Sequence, residues 1–128
     1  MDNTFHKNER LCSKKQIDTL FEKGQTVNAY PIKLIYLGGR SESKTDVKAM
    51  FVVPKKKFKH ANDRNKLKRR MREAYRLQKG EFYVSIGSYK LNLAILYYGN
   101  KTEEYDAIFK ATAKLLNNLT KQIVTGGS

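Results

Sequence analysis

The sequence has no tryptophan, one cysteine, two prolines and only 12 acidic residues against 26 lysines and arginines. Each shortage removes options. The single Cys12 cannot close an internal disulfide, and a lone thiol suits a reducing, cytoplasmic compartment. His6 and His60 share no ligand spacing with that cysteine, which excludes a structural zinc site. No apolar run approaches ~18 residues, and no apolar signal core opens the chain, so no membrane attachment is expected. The signatures of catalysis are missing too: no P-loop, no Gly-x-Ser-x-Gly elbow, no motif of paired carboxylates. Glu103, Glu104 and Asp106 stand where a helix should begin, and acids there favour the helix macrodipole. No catalytic residue and no metal ligand is therefore expected in this chain.

The scarcity of acids is the informative absence. A net charge of +14 and a pI near 9.9 on 128 residues imply a polyanionic partner. The length predicts one domain over 1–128, with an extended arm at 1–12 and a disordered tail at 124–128. The charge is concentrated: Lys55 to Arg76 holds eleven Lys or Arg against Asp63 and Glu73, which is +9 of the total. The second part of this stretch predicts a helix over 62–78, capped by Asn62 or Asp63 and stopped by Gly80. At ~100° per residue Leu67, Met71 and Ala74 share one side, with Tyr75 at its edge. Arg64, Asn65, Lys68, Arg69, Arg72 and Arg76 fall within about 140° beside it, and Lys66 and Arg70 lie on the far flank. Like charges at i,i+4 cost a few tenths of a kcal/mol each. A helix that carries such repulsion on one face reads as a phosphate-binding surface.

The remaining elements follow in order. Ser13 and Gln16 fit a capping box for a helix over about 14–22, with Gly24 at its C′ position. A strand is expected at 32–37, after a possible short strand at 27–30, and Gly38-Gly39 opens a polar loop. Val47 to Val53 is the next strand, expected to form a hairpin with 32–37. Residues 82–86 read as a short strand or extended segment. Leu91 to Tyr98 is a nearly continuous apolar strand for a sheet centre, and Thr102 caps a final helix over about 103–122. The fold class is α+β, an α/β sandwich of order α-β-β-β-α-β-α, with helices on one side of a small mixed sheet.

The run Arg64-Asn65-Lys66-Leu67-Lys68-Arg69-Arg70-Met71-Arg72-Glu73-Ala74-Tyr75, led by Lys56-Lys57-Phe58-Lys59-His60-Ala61, resembles the signature of the protein subunit of bacterial ribonuclease P. The resemblance spans about residues 7–120, and Lys66 departs from it where the family usually carries arginine. It implies a ribosomal-protein S5 second-domain fold with a left-handed β-α-β crossover. It implies a partner ribonuclease P RNA, one protein per RNA, that hydrolyses precursor tRNA with Mg²⁺ held through the RNA. Its RNA-contacting positions match Arg64, Asn65, Lys68, Arg69 and Arg72; Lys66 and Arg76 on the same helix complete the expected RNA-binding set. It also implies a cleft for the single-stranded 5′ leader, with Phe21 at an aromatic position and Lys56 and Lys57 on a basic rim.

Two further aromatic positions of that cleft fall on Ile17 and Ile35, which points to a site working more by charge and apolar contact than by stacking. Tyr36 and Tyr30 are candidates to replace the lost rings, although strand alternation sets Tyr36 on the face opposite Ile35. Phe58 reads better as an anchor for the basic loop than as a base platform. A basic ribosomal or general RNA-binding protein without a role in cleavage is the alternative. A DNA-binding helix fits less well, because the basic helix lies inside a β-α-β unit. A nuclease acting alone lacks its acid cluster.

Overall fold

The computed structural model describes residues 5–42 and 44–125. A 3-10 turn at Lys7–Glu9 is followed by α1 (Lys14–Lys23), β1 (Gln25–Ala29), β2 (Ile32–Arg40), β3 (Asp46–Val52), α2 (Ala61–Ile86), β4 (Tyr89–Tyr97) and α3 (Tyr105–Thr125). The α-β-β-β-α-β-α order is as expected, and the short strand before Pro31 is β1. The tail expected at 124–128 begins inside α3, which runs to Thr125; its last three residues lie outside those described.

Strand pairing departs from the expected hairpin. The sheet order is β1-β2-β4-β3, with β2 antiparallel to β4 and β3 parallel to it, so β2 and β3 never touch. The physical reason lies in β4. Leu91, Leu93, Ile95 and Tyr97 are buried on one face and Ala94 on the other, so the backbone N–H and C=O groups of this strand are shielded from water and are paired by strands on both edges. Residues 41–45 instead span two strand spacings, roughly 10 Å. Strand β2 also runs past its expected end at Leu37, because the nine-residue β4 offers partners as far as Arg40↔Tyr89.

Helices cover both faces rather than one. Helices α2 and α3 pack on the face carrying Leu34, Leu93 and Ile95, where Leu67, Met71, Tyr75, Ile108, Leu115 and Leu119 are buried. Helix α1 lies on the opposite face, with Leu20 wholly buried beside Leu11 and Ala94. Burying such a leucine stabilises by about 1.5–3 kcal/mol and fixes which side of the ten-residue helix meets the sheet. Ser13 caps it by accepting the Gln16 N–H at 3.3 Å, as its spacing suggests. Gly24 follows with φ −70°, so it is not a left-handed cap.

Helix α2 is longer than expected at both ends. It starts at Ala61 behind His60, and it continues through a buried Gly80 to Ile86. Phe82 and Ile86 extend the apolar stripe of Leu67, Met71 and Ala74, so core burial outweighs the ~1 kcal/mol cost of an interior glycine. The stretch 82–86 is thus helix, not strand. Gly87 ends it at φ 71°, a conformation that strains other residues. Helix α3 begins at Tyr105, two residues later than a Thr102 cap would set it. The Tyr97 hydroxyl holds the intervening turn, donating to the Lys101 carbonyl at 2.6 Å and accepting the Glu103 N–H at 3.0 Å.

Candidate nucleic-acid interface

The loop that leads into α2 is clipped down by its own cations. Phe58 is 6% exposed and meets Tyr97 edge-on at 5.6 Å, so it anchors the loop, as its setting among lysines suggests. Arg64 Nη1 donates to the Phe58 carbonyl at 2.7 Å and the Lys59 carbonyl at 2.9 Å. Lys57 Nζ donates to the Tyr98 carbonyl at 2.8 Å. These bonds hold Lys55, Lys56 and Lys59 exposed beside the first turn of α2. Arg64 and Lys57 therefore shape the surface as well as charge it.

Along α2 the exposed cations are Lys66, Arg69 and Arg72, with Asn65 exposed and Lys68 half-buried between them. Among the described residues none of these four cations is in an ion pair. Arg70, on the far flank, donates to the Glu103 carbonyl and ties α2 to the start of α3. Arg76 is drawn to Glu73, its Nε 3.0 Å from Oε2. The Arg76 hydrogen bond holds the Glu73 carboxyl below its ordinary value. Arg76 thus stands apart from the free group that ends at Arg72.

The second half of α2 treats its cation differently. Lys79 is 3% exposed, and its Nζ lies 2.7 Å from both carboxylate oxygens of Glu9. Tyr83 donates to the same carboxylate at 3.1 Å, and the Tyr75 and Tyr83 hydroxyls meet at 3.0 Å. Burial pushes the Glu9 carboxyl up, but Lys79, the His6 N–H and Tyr83 together bring it below its ordinary value. Burial also raises the Tyr75 and Tyr83 hydroxyls, which stay protonated donors. The arm expected to be extended is pinned here, and Leu11 N–H adds a bond to the Ala49 carbonyl at 2.9 Å.

The sheet face under α1 is only partly covered. Ile17 and Ile35 lie together there with half-buried Leu37, Met50 and Leu96. Phe21 projects from α1 with 44% exposure. Tyr36 does not join them: it faces α3, buried, donating to Gln25 Oε1 at 2.9 Å and touching Gln122. Strand alternation dictates that placement. Lys33 and Lys48 share the open face, opposite Leu96 and Asn92 in register. Sequence reasoning passed over both lysines, and only the pairing of β2 and β3 with β4 could have brought them to one surface.

Comparison with known proteins places the chain as a whole. The family model described as Ribonuclease P matches residues 5–121. This chain belongs to the ribonuclease P protein family. The ribonuclease P protein component of Chlorobium phaeobacteroides is 30% identical over 129 residues, covering 91% of this chain and 88% of the relative. That of Porphyromonas gingivalis is 43% identical over 74 residues, 57% of this chain and 53% of its own length. Among solved structures, the RNase P protein of Thermotoga maritima matches with TM-score 0.61 at 25% identity, covering 90% of this chain and 97% of that one. The Staphylococcus aureus RNase P protein matches in fold, with TM-score 0.70 at 18% identity over 88% of this chain and 96% of that one. The family match takes in every strand, α1, α2 and most of α3.

Proposed function

We propose that this chain binds the RNA of ribonuclease P through the front of α2 and holds the 5′ leader of precursor tRNA across the half-open sheet face. The observation that carries this reading is the one-sided group Asn65, Lys68, Arg69 and Arg72, with Lys66 on the flank, whose cations lack carboxylate partners among the described residues. Arginines fork onto phosphate oxygens, lysines act as point charges, and Asn65 hydrogen-bonds backbone or a base edge. Arg64 and Lys57 hold the loop that extends this charge towards the sheet. Phe21, Ile17 and Ile35 with the rim of Lys56 and Lys57 then receive the leader, largely by apolar contact and charge.

In this reading the RNA performs the hydrolysis in the cytoplasm, with one protein per RNA. Among the described residues no three His, Cys, Asp or Glu side chains converge, and in this reading the Mg²⁺ is held through the RNA. The protein's part is to screen repulsion between two RNAs and to favour the precursor, which has a leader, over the mature product. No helix of the described residues is long and apolar enough to cross a membrane.

The test is precursor-tRNA cleavage at low Mg²⁺ with a bacterial ribonuclease P RNA. Cleavage at the mature 5′ end should require both RNA and protein. Cleavage by the protein alone, or no stimulation across several such RNAs, would overturn the reading.

A further inference from the structure

At the end of the open sheet face, where β2 begins and β4 stops, stand Tyr98 and Tyr30, the latter a candidate from the sequence to replace the lost cleft rings and neither used in the surface described above. Tyr30 is 57% exposed, a large ring open to solvent. It meets the Tyr98 ring at 5.5 Å and 90°, so the pair forms two perpendicular walls. Lys33 Nζ sits 5.9 Å from the Tyr98 ring centre, a cation over an aromatic face.

This corner is fixed by backbone. Tyr98 N–H donates to the Pro31 carbonyl at 2.9 Å, and Lys57 Nζ holds the Tyr98 carbonyl. Gly99 is buried, and a Cβ there would stand 3.0 Å from Pro31 Cβ and 3.1 Å from the Tyr97 ring. A side chain at Gly99 would press on Pro31 and the Tyr97 ring, so the glycine eases the close approach of the Tyr30-Pro31 turn to the end of β4. The basic loop is thus bonded to this aromatic pair on one side and to α2 on the other.

An exposed aromatic wall flanked by cations and continuous with a phosphate-binding surface is the equipment for single-stranded nucleic acid. We propose that Tyr30 and Tyr98 form a stacking site for one unpaired nucleobase of single-stranded RNA, with Lys33 meeting an adjacent phosphate. The proposal rests on the reading that RNA crosses the open sheet face. It gives that face a stacking position of its own, although isoleucine stands at positions 17 and 35. Every base has a stackable face, so the site discriminates unpaired from paired RNA and not one base from another.

The test uses the full-length chain without ribonuclease P RNA. Affinity is measured for a labelled single strand of about ten nucleotides and for a fully base-paired hairpin RNA. Tyr30→Leu and Tyr98→Leu should each weaken single-strand binding by about 5- to 100-fold, leave hairpin binding unchanged, and Tyr30→Phe and Tyr98→Phe should restore it. An abasic position within the strand should cost nothing further in the Tyr30→Leu background. The site is refuted if the wild-type chain does not bind the strand, if Tyr30→Leu binds it normally, or if both RNAs weaken together. Tyr30 is exposed, so its variant decides the matter even where Tyr98→Leu unfolds. Strand binding through the tyrosines without stimulation of cleavage would sink only the broader reading; stimulation with unaffected tyrosine variants would sink only this site.

Discussion

Arg72 and Lys79 are two turns apart on α2, about 10 Å along its axis, yet they sit in opposite circumstances. Lys79 is buried and touches both oxygens of Glu9, whereas Arg72 is exposed and has no acidic partner among the described residues. A buried cation that loses its partner is strongly destabilising, so the second half of α2 is built around a closed network. The first half tolerates like-charge repulsion instead. The contrast separates charges that hold the fold from charges left available to a ligand, within one helix.

The largest expected effect is on the closed half. Glu9→Gln should destabilise the protein by about 3 kcal/mol in urea unfolding, because it removes the carboxylate charge that faces the buried Lys79 ammonium. Adding Lys79→Met should recover much of that loss, and RNA affinity of the folded protein should stay unchanged in both. A double variant as unstable as Glu9→Gln alone would break the comparison.

Next in size, Arg69→Glu with Arg72→Glu should weaken RNA binding at least about tenfold. Stability in urea should hold or rise slightly, since repulsion along α2 is relieved. Destabilisation by this pair would place them with Lys79, and the distinction would fail.

Acid provides a subtler probe. The Glu9 carboxyl titrates lower in the folded protein than its ordinary 4.5, so its contribution is complete above that value. It is lost as pH falls through the folded value. The stability gap between wild type and Glu9→Gln should therefore narrow as pH drops below 4.5. A constant gap down to pH 2 would contradict the network. Smallest of all, Glu73→Gln should remove a negative charge from the edge of the basic face, leave the unfolding midpoint in place and tighten RNA binding in a salt-sensitive way.

Element order, the apolar back of α2 and its basic front were legible, because each depends on local periodicity and cap chemistry. Leu67, Met71 and Ala74 are buried where their spacing sets them, and Phe58 anchors the loop. Strand pairing was not legible. Proximity in sequence suggested a hairpin between β2 and β3, while the demand of β4 for two neighbours is a property of the whole sheet. The far end of α2 was missed because Gly80 and a β-rich patch outweighed the continuing stripe to Phe82 and Ile86. The Glu9–Lys79 pair joins residues 70 apart in the chain, and neither residue carries a local sign of its partner. The Tyr30–Tyr98 corner depends on the same sheet closure.

The most direct measurement is the salt dependence of binding to ribonuclease P RNA, for wild type and for Arg69→Gln with Arg72→Gln. If both arginines neutralise phosphates, the slope of log affinity against log salt should become shallower by about 1.4 to 1.8 in the variant. An unchanged slope would mean that the front of α2 does not meet the RNA.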